Sequence, residues 1–328
     1  MALGIVVVSY GAGDALLACL GSLAGAARAP DAPEMRIVVV DNASPDDTVA
    51  RLRDWAASSE GGTAPDLPHP VAPRPAVALR LAEDGTLPPA TEGLALIEAG
   101  RNGGFAAGVN VGLRALSAEP SVEGFWLLNP DTVVPARTPA GLIGAARDAG
   151  RYGAIGGRLL YLERPDTIQC DGGGRIAWRF GRIDHYNQHR PADAPAPGPL
   201  DYVSGAHMLV GRDFLSQAGE MPEDYFLYFE EVDWILRRGD LPLLWTPDAP
   251  VYHAAGGSIG SRGLTRGPSP LSAYWMARSR MRFVRRWRPA HLPGTAAYTA
   301  LKAAQMARRG EGAAARATLR GLAGRPFR

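Results

Sequence analysis

The chain has 328 residues, a formal net charge of +2, and hydrophobic and charged shares of 46% and 21%. This length and composition exclude wholesale disorder and a collagen-like repeat, and they allow one large domain with appendages or two modest ones. The 40 glycines and 28 prolines predict many turns and loops, where binding sites tend to lie.

Two cysteines, Cys19 and Cys170, are too few for a disulfide framework or a four-thiolate zinc site. No basic leader precedes the first apolar run, and no window of about 18 uninterrupted apolar residues occurs. We therefore expect a cytoplasmic protein, at most attached to the inner surface of a membrane.

The charge is unevenly distributed. Residues 262–328 contain 15 basic residues and one acid, a net charge of +14, whereas residues 1–261 contain 20 basic and 32 acidic residues, a net charge of −12. Two interpretations stay open: a basic segment that meets an anionic lipid or a phosphate-bearing substrate, or a helical cap whose arginines are solvated or paired with the acidic body.

The first elements predict an α/β sheet. Residues 5–8 and 37–40 are continuous β-branched runs, typical of strands buried on both faces, and apolar residues recur at helical spacing between them, at Leu16, Leu17, Leu20 and Leu23. Further strands are predicted at 94–97 and 125–128, with a helix opening near residue 101 and continuing to 116. Residues 56–90, with seven prolines and little periodicity, are predicted to be an irregular insertion.

Acidic residues stand at the ends of two predicted strands, Asp41 and Asp131. Because parallel α/β sheets bind ligands at the carboxyl ends of their strands, either carboxylate can accept a hydrogen bond from a nucleotide or bind a divalent cation. A helix N-cap is the alternative for each, although Ser44 and Asp46 are also available as caps near Asp41.

A glycine cluster at Asn102-Gly103-Gly104 resembles a phosphate cradle. It is neither a G-x-G-x-x-G fingerprint nor a P-loop. After the first strand, Gly11-x-Gly13 is followed by Leu16 where the dinucleotide fingerprint requires glycine, so a Rossmann dehydrogenase is disfavoured.

The densest group of acids is Glu230, Glu231 and Asp233, which follow a run of aromatic residues. Acids in a first helical turn are favoured by the helix dipole, but a carboxylate packed beside aromatic rings also acquires a raised pKa and can act as a general base. Downstream, His253 follows a short predicted strand and is a candidate ligand.

Seven segments, taken in order, resemble glycosyltransferase family 2, in particular its rhamnosyltransferase-like members: VVVSYGAGDALLACLGSL, VVVDNASPDDT, RNGGFAAGVNVGL, FWLLNPDT, DYVSGAHMLV, DYFLYFEEVDWILR and VYHAAGGS. The resemblance spans residues 4–288. It implies a GT-A fold, a Rossmann-like α/β domain with a mostly parallel central sheet flanked by helices. We assign this catalytic domain to residues 1–262, with a nucleotide-sugar half at about 1–135 and an acceptor half at about 136–262, followed by a basic helical extension at 263–328.

The resemblance also implies roles for individual residues. Those expected to bind the nucleotide-sugar are Ser9, Tyr10, Asp41, Asn102, Gly104, Phe105, Asn129 and Asp131. A divalent cation, Mg²⁺ or Mn²⁺, is expected on Asp131 and His253. The family's catalytic base falls on Glu231, where the family usually has Asp, so Glu230 and Asp233 stay open as alternatives. Contacts on the acceptor side are expected from Ser204, Gly205 and His207.

The implied function is inverting transfer of a sugar from a nucleotide-diphosphate donor, such as dTDP-rhamnose or a UDP-sugar, to a hydroxyl of a glycan or lipid-linked saccharide. The alternatives are a sugar nucleotidyltransferase and a non-catalytic glycan-binding or nucleotide-binding module on the same fold. A nucleotidyltransferase requires a basic residue in the loop after the first strand, which this chain lacks.

The partners expected are the donor and the acceptor, with no nucleic acid, and homo-oligomerisation is left open. Apolar residues at helical spacing between 274 and 287, surrounded by arginines, predict an amphipathic basic helix. Such a helix either lies on an anionic membrane or packs its apolar stripe on the body.

Overall fold

The computed structural model describes residues 2–57, 80–82, 86–254 and 267–327. The strands are β1 (Ala2–Ser9), β2 (Met35–Asp41), β3 (Arg80–Ala82), β4 (Gly93–Glu98), β5 (Val122–Leu128), β6 (Thr132–Val133), β7 (Ala154–Tyr161), β8 (Arg164–Asp171), β9 (Gly173–Ala177), β10 (Arg182–His185), β11 (Tyr202–Val203), β12 (His207–Gly211) and β13 (Leu243–His253). The α-helices are α1 (Gly13–Ala26), α2 (Thr48–Ala57), α3 (Phe105–Ser117), α4 (Thr138–Ala149), α5 (Arg212–Ala218), α6 (Glu230–Ile235), α7 (Pro270–Trp287), α8 (Leu292–Arg308) and α9 (Gly312–Leu322).

The central sheet is mixed, with strand order β3-β4-β2-β1-β5-β12-β7-β13-β6 and β8 paired to β7. The half formed by β3, β4, β2, β1 and β5 is entirely parallel, and the pair β7 and β13 is parallel as well. A separate antiparallel sheet has the order β10-β9-β11. The mostly parallel sheet flanked by helices confirms the predicted fold class.

The β-branched run of β1 is buried on both faces, as the sequence predicts. Ile5 and Val7 pack into the hydrophobic cluster that contains α1 and α4, while Val6 and Val8 pack into the cluster that contains α3 and α7. Helices therefore pack on both faces of one sheet. The polar residues that follow β1, β2 and β5 lie together at the carboxyl edge of its parallel half.

The predicted strands at 5–8, 37–40, 94–97 and 125–128 all lie within strands of the structure. The helix predicted to open near residue 101 begins at Phe105, because Gly104 has a φ of 89° and is not helical. The irregular insertion predicted at 56–90 lies largely outside the described residues. Within the described part of it, α2 extends to Ala57 and β3 adds an edge strand to the sheet.

The basic C-terminal region packs onto the body through α7. Phe283 is fully buried, with its ring centroid 5.2 Å from those of Trp178 and Phe229. The apolar stripe of α7 is buried at Tyr274, Ala277 and Val284, so this helix adopts the packed alternative rather than the membrane-facing one. The division predicted at residue 262 falls between 254 and 267, outside the described residues. Within the described part of the chain, no helix is both long and apolar enough to cross a bilayer.

Candidate active site

Asp41 ends β2 beside Ser9, its register partner at the end of β1. The Asp41 carboxylate is 4% exposed and accepts hydrogen bonds from the backbone N–H and the hydroxyl of Ser44. At the start of α2, Asp46 Oδ1 accepts a bond from the Thr48 N–H at 3.2 Å, and the Asp47 carbonyl accepts from the Arg51 N–H at 2.9 Å. Asp41 is therefore not a helix cap. The hydroxyl of Ser9 is buried and has no hydrogen-bond partner among the described residues.

The loop before α3 is fixed by amide side chains. Asn42 Nδ2 donates to the Gly104 carbonyl at 2.8 Å and to Asn102 Oδ1 at 3.4 Å, and Asn102 Oδ1 also accepts from the Gly104 N–H at 3.0 Å. A side chain at Gly104 would collide with the Phe226 carbonyl, which accepts a hydrogen bond from the Phe105 N–H at 3.0 Å. The loop thus lies directly against the segment that precedes α6.

These loops surround a cavity of about 360 Å³. Five of the residues predicted to bind a nucleotide-sugar line this cavity: Tyr10, Asn102, Gly104, Phe105 and Asn129. The other lining residues are Val8, Asn42, Pro130, Phe226, Leu227, Leu271, Trp275 and Phe327. The cavity is open at one side to solvent and lies at the carboxyl ends of β1, β2, β4 and β5. Ligands bind at this location in open α/β sheets.

The predicted metal ligands are in direct contact. His253 Nε2 lies 3.0 Å from Asp131 Oδ1 and 3.2 Å from Asn129 Nδ2. His253 Nδ1 donates to Gln169 Oε1 at 2.7 Å. The bond to Gln169 holds the imidazole by its Nδ1–H, and in the neutral ring this leaves the lone pair of Nε2 directed toward Asp131.

This donor set fits a divalent cation. A carboxylate oxygen and an imidazole nitrogen converge on one point, and a third residue fixes the ring from behind. No group of three or more potential metal-ligating residues occurs among the described residues. A site with two protein ligands suits Mg²⁺ or Mn²⁺, because such ions are usually held by one or two side chains plus the phosphates of a substrate.

The acid cluster begins α6, and two of its members each have one carboxylate oxygen without a hydrogen-bond partner. The Oε2 atoms of Glu230 and Glu231 are buried and have no hydrogen-bond partner among the described residues. Burial raises the pKa of Glu231 to about 7. Burial and the neighbouring charge of Glu231 raise the pKa of Glu230 well above its ordinary value. Both carboxyls therefore hold a proton more tightly than an exposed glutamate does, and a pKa near neutrality lets Glu231 both accept and release one.

Asp233 has a different environment. Its carboxylate is fully buried and accepts hydrogen bonds from Arg237 at 2.8 Å and 3.0 Å, from the Tyr225 hydroxyl at 2.6 Å and from Arg286 at 2.8 Å. Because both oxygens are engaged by charged or hydroxyl donors, Asp233 has no free lone pair directed at a substrate. The geometry therefore speaks against Asp233 as the base.

The segment before α6 has an unusual backbone. Phe226, Tyr228 and Phe229 all have positive φ, between 67° and 71°, a conformation that costs free energy for bulky residues and persists only where packing enforces it. Helix α7 supplies that packing: Trp275 stacks on Phe226 with ring centroids 4.6 Å apart, and Ser279 donates to the Leu227 carbonyl at 2.7 Å.

The three predicted acceptor-side residues are not equivalent. A Cβ at Gly205 would lie 3.3 Å from the Glu231 side chain and 3.5 Å from Phe105, so Gly205 adjoins the carboxylate. Ser204 is partly exposed beside it. His207 is 1% exposed, accepts from Trp126 Nε1 at 2.8 Å and donates to the Ala249 carbonyl at 2.9 Å. Burial lowers the pKa of His207 to about 4. It is a neutral core histidine and offers no atom to an acceptor.

Three residues at the site were missed by the sequence analysis. Asn42 carries no signal of its own in the sequence, since it directly follows the strand-end acid Asp41. Gln169 lies in β8, on the far side of the sheet order, and carries no local signal. Trp275 lies off the apolar stripe of α7. Its neighbour Tyr274 gives the available signal, because two adjacent aromatic residues point to different faces of a helix and so indicate packing on both faces.

Comparisons of the sequence with known proteins find similarity to glycosyltransferases. The family description "Glycosyl transferase family 2" matches residues 4–64. The hexosyltransferase Agl10 of low-salt glycan biosynthesis from Haloferax volcanii is 25% identical over 43% of this chain and 45% of its own length. An N-acetylglucosaminyl-diphospho-decaprenol L-rhamnosyltransferase of Mycobacterium tuberculosis is 29% identical over 50% of this chain and 60% of its own. The matched region therefore spans about half the length of these relatives.

Solved structures share the fold. The mannosyltransferase PcManGT from Pyrobaculum calidifontis, in complex with GDP-Man and Mn²⁺, has a TM-score of 0.54 and 15% identity, and the match covers 99% of this chain and 88% of that one. GalNAc-T7 with UDP, GalNAc and Mn²⁺ has a TM-score of 0.58 and 14% identity, covering 93% and 51%. At these identities the likeness shows the fold alone.

The fold is that of the GT-A class of glycosyltransferases. Residues 4–64 match the family 2 description, and the chain is similar to a hexosyltransferase and a rhamnosyltransferase over 43% and 50% of its length.

Proposed function

We propose that the protein transfers a sugar, with inversion, from a nucleotide-diphosphate donor to a hydroxyl of a glycan or lipid-linked saccharide. Two features beside one cavity carry this proposal. The first is the Asp131–His253 contact next to Asn129 and Pro130, and the second is Glu231, whose Oε2 atom has no partner among the described residues and whose side chain lies near Phe105. Asn129, Pro130 and Phe105 line the cavity, while the two carboxylates stand immediately beside these lining residues.

Donor binding follows from the loops at the carboxyl edge. Tyr10 offers a ring face for a base, and Asp41 and Asn42 end the strand beside it. Asn102 and Gly104 present polar backbone and amide groups on the opposite wall. A nucleotide placed along this edge has its diphosphate near Asn129 and Asp131, as in other open α/β sheets.

Departure of the nucleoside diphosphate leaves negative charge on the phosphate oxygens. Asp131 and His253 would hold a divalent cation, which when bound neutralises that charge as a Lewis acid. Gln169 keeps the His253 ring oriented for this role through its bond to Nδ1.

Glu231 acts as the general base. The acceptor oxygen forms a bond to the anomeric carbon as the bond from that carbon to the phosphate oxygen breaks, and the acceptor proton passes to the Glu231 carboxylate. A pKa of about 7 suits this role, because a base works best when its pKa lies near the operating pH. Burial and the neighbouring Glu231 carboxylate both raise the pKa of Glu230 and so oppose a second negative charge beside the base.

The test is a comparison of Glu231→Gln with wild type and with Glu220→Gln, an exposed glutamate paired with Arg114 at 2.6 Å. We expect Glu231→Gln to bind nucleotide with unchanged affinity and to lose about 10²–10⁴ in kcat. The Glu220 variant should retain full activity, and NMR of the product should show an inverted anomer. Full activity of Glu231→Gln would exclude this carboxylate as the base.

Membrane contact through the basic C-terminal region stays a prediction. Two of its arginines, Arg282 and Arg286, pair with Asp224 of the body. Co-sedimentation with anionic vesicles, compared with neutral vesicles, tests whether the remaining positive charge attracts a membrane.

A further inference from the structure

A second cavity, of about 320 Å³, lies at the edge of the central sheet opposite to the candidate active site. The residues that line this amino-edge cavity are Glu123, Ala146, Arg147, Gly150, Tyr152, Gly211, Arg212 and Asp213. Gly211, at the end of β12, is the register partner of Gly124 near the start of β5. Because β5 has 7 residues, this edge is about 20 Å from the carboxyl edge, so a ligand bound here would not touch the donor.

A buried hydroxyl in the amino-edge cavity has no partner. Tyr152 is 6% exposed, and its hydroxyl makes no hydrogen bond with any described residue. The hydroxyl lies 3.3 Å from the position that a Cβ would take on Gly211, so a glycine there keeps the space beside the hydroxyl open. A buried hydroxyl without a partner costs free energy, and a ligand in the cavity can supply the missing hydrogen bond.

Two carboxylates supply acceptors to the same cavity. Glu123 and Asp213 are exposed, and neither side chain makes an ion pair or a hydrogen bond with a described residue. Burial, followed by the charges of these two carboxylates, raises the pKa of Tyr152 to about 12. The phenol is therefore neutral at physiological pH and able to donate a hydrogen bond.

Two guanidinium groups supply donors. Arg212 donates to the carbonyls of Val122, Ser117 and Glu119 at 2.7 Å, 3.3 Å and 2.6 Å, so its charge is fixed in place without being neutralised by a carboxylate. Arg147, in the last turn of α4, is exposed and forms no ion pair with a described residue. The opposite charges around this cavity therefore stand apart, and the space between them is available to a ligand.

The mixture of donors and acceptors selects the class of ligand. A purely anionic ligand would meet Glu123 and Asp213, and a purely cationic ligand would meet Arg147 and Arg212. Each hydroxyl of a sugar both donates and accepts hydrogen bonds, so neighbouring hydroxyls on one ring can satisfy both kinds of group. A volume of about 320 Å³ is at the lower end for small-molecule sites and suits a ligand of one or two sugar rings.

We propose that the amino-edge cavity binds a neutral saccharide. Tyr152 donates to an oxygen of the sugar, Glu123 and Asp213 accept from its hydroxyls, and Arg147 donates from the end of α4. The inference goes beyond the proposed function, because binding at this site involves neither the nucleotide-sugar nor the cation. An acceptor glycan long enough to reach this edge would be held at a point remote from its reacting hydroxyl.

The test is saturation-transfer-difference NMR on the full chain, with the methyl glycosides of rhamnose, glucose, mannose and N-acetylglucosamine as probes. We expect at least one of them to bind. Tyr152→Phe should weaken its binding about three- to tenfold, and Asp213→Ala about tenfold, because hydrogen bonds to a charged group are stronger. Tyr152→Phe removes a hydroxyl that has no protein partner, so its thermal unfolding should match that of the wild type.

Matched controls remove the same groups elsewhere. Tyr186→Phe removes a phenol that donates to the Pro199 carbonyl at 3.1 Å, and Asp148→Ala removes an exposed acid of α4 that does not line the cavity. Neither substitution should change the Kd for the glycoside. Inorganic phosphate and putrescine serve as the purely anionic and purely cationic probes, and both should bind more weakly than the glycoside.

The inference is overturned if no glycoside binds, which would leave the cavity to water. It is also overturned if Tyr152→Phe or Asp213→Ala binds the glycoside as tightly as the wild type, or if phosphate or putrescine binds more tightly. Loss of glycoside binding in Trp275→Ala but not in Tyr152→Phe would place the sugar in the carboxyl-edge cavity and would likewise contradict it.

Nucleotide binding, measured in the same variants, keeps the two proposals separate. Tyr152→Phe should bind a nucleoside diphosphate as the wild type does, because the two cavities lie at opposite edges of the sheet. Absence of nucleotide binding in the wild type would overturn the transferase, whereas nucleotide binding without glycoside binding would overturn the saccharide site alone.

Discussion

Arg286 of α7 donates a hydrogen bond of 2.8 Å to Asp233 of α6, so a residue of the basic C-terminal region neutralises a fully buried acid two positions from the proposed base. The same guanidinium reaches Asp224 at 2.6 Å, at the start of the strained segment 224–229. One side chain thus contacts both the first residue of this segment and the helix that follows it.

Arg286→Met should therefore destabilise the protein. Asp233 keeps Arg237 as a partner, so we expect a loss of about 1–3 kcal/mol in the free energy of unfolding rather than the full cost of an unpaired buried charge. Urea denaturation measures it. Arg285→Met is the control, since Arg285 is exposed and should change stability by less than about 0.5 kcal/mol. Equal effects of the two substitutions would show that the ion pair contributes nothing specific.

Glu231 should give the reaction a pH dependence. Burial raises the pKa of Glu231 from 4.5 to about 7, and the base must be ionised to accept a proton. We expect kcat to rise about tenfold per pH unit below pH 7 and to level off above it. Initial rates measured between pH 5.5 and 9 test this. A plateau that extends unchanged to pH 5.5 would contradict the assignment.

The same shift affects stability. Because the folded state binds the Glu231 proton more tightly than the unfolded chain, the stabilisation is complete below about pH 4.5 and is lost as pH rises through 7. Glu231→Gln cannot ionise, so it should match wild type near pH 4.5 and exceed it by about 2–3 kcal/mol in the free energy of unfolding at pH 8.5. The Glu220→Gln control should show no such difference between the two pH values.

Gln169 should control cation affinity without contacting the cation. It holds the Nδ1–H of His253, and loss of such an orienting partner typically costs about 10–100-fold in metal affinity. We expect Gln169→Leu to raise the apparent Kd for Mn²⁺ by this factor, measured by calorimetry in the presence of a nucleoside diphosphate. The exposed Gln217 provides the control, and an unchanged Kd in Gln169→Leu would remove the orienting role.

Gly104 should tolerate no side chain. Its φ is 89°, and a Cβ would collide with the Phe226 carbonyl, so Gly104→Ala must displace either the loop before α3 or the segment before α6. We expect at least about 1–2 kcal/mol of destabilisation from the backbone conformation alone, and weaker nucleotide binding. Gly144→Ala, at a helical position of α4 with open space around it, should be neutral or stabilising by up to about 1 kcal/mol.

The part of the site predicted from sequence is the part built from strand ends. Asp41 and Asp131 follow runs whose β-branched residues and length mark buried strands, and parallel strands bring their carboxyl ends together. The pattern therefore places Asp41, Asn129 and Asp131 at one edge without further information. The acids at 230 and 231 could be singled out because they directly follow an aromatic run, and a carboxylate packed beside aromatic rings is expected to have a raised pKa.

The part that was missed depends on long-range packing. Arg286 lies 53 positions from Asp233, and among 35 basic residues nothing in the sequence marks it as a partner. The three left-handed residues at 226–229 oppose local preference, since bulky residues avoid positive φ. The sequence also could not predict which of the three neighbouring acids can act as the base. Asp233 is excluded as the base only because Tyr225, Arg237 and Arg286 donate hydrogen bonds to both of its carboxylate oxygens.

The contacts of Ser279 with Leu227, and of Arg286 with Asp233, also bear on how the protein acquires activity during its synthesis. The strands and their acids emerge from the ribosome first, but the buttress that forces three aromatic residues into an unfavourable conformation arrives some fifty codons later. A nascent chain can therefore begin to assemble its sheet while segment 224–229 still lacks these contacts, and the segment is held only when α7 has been made and has packed onto it.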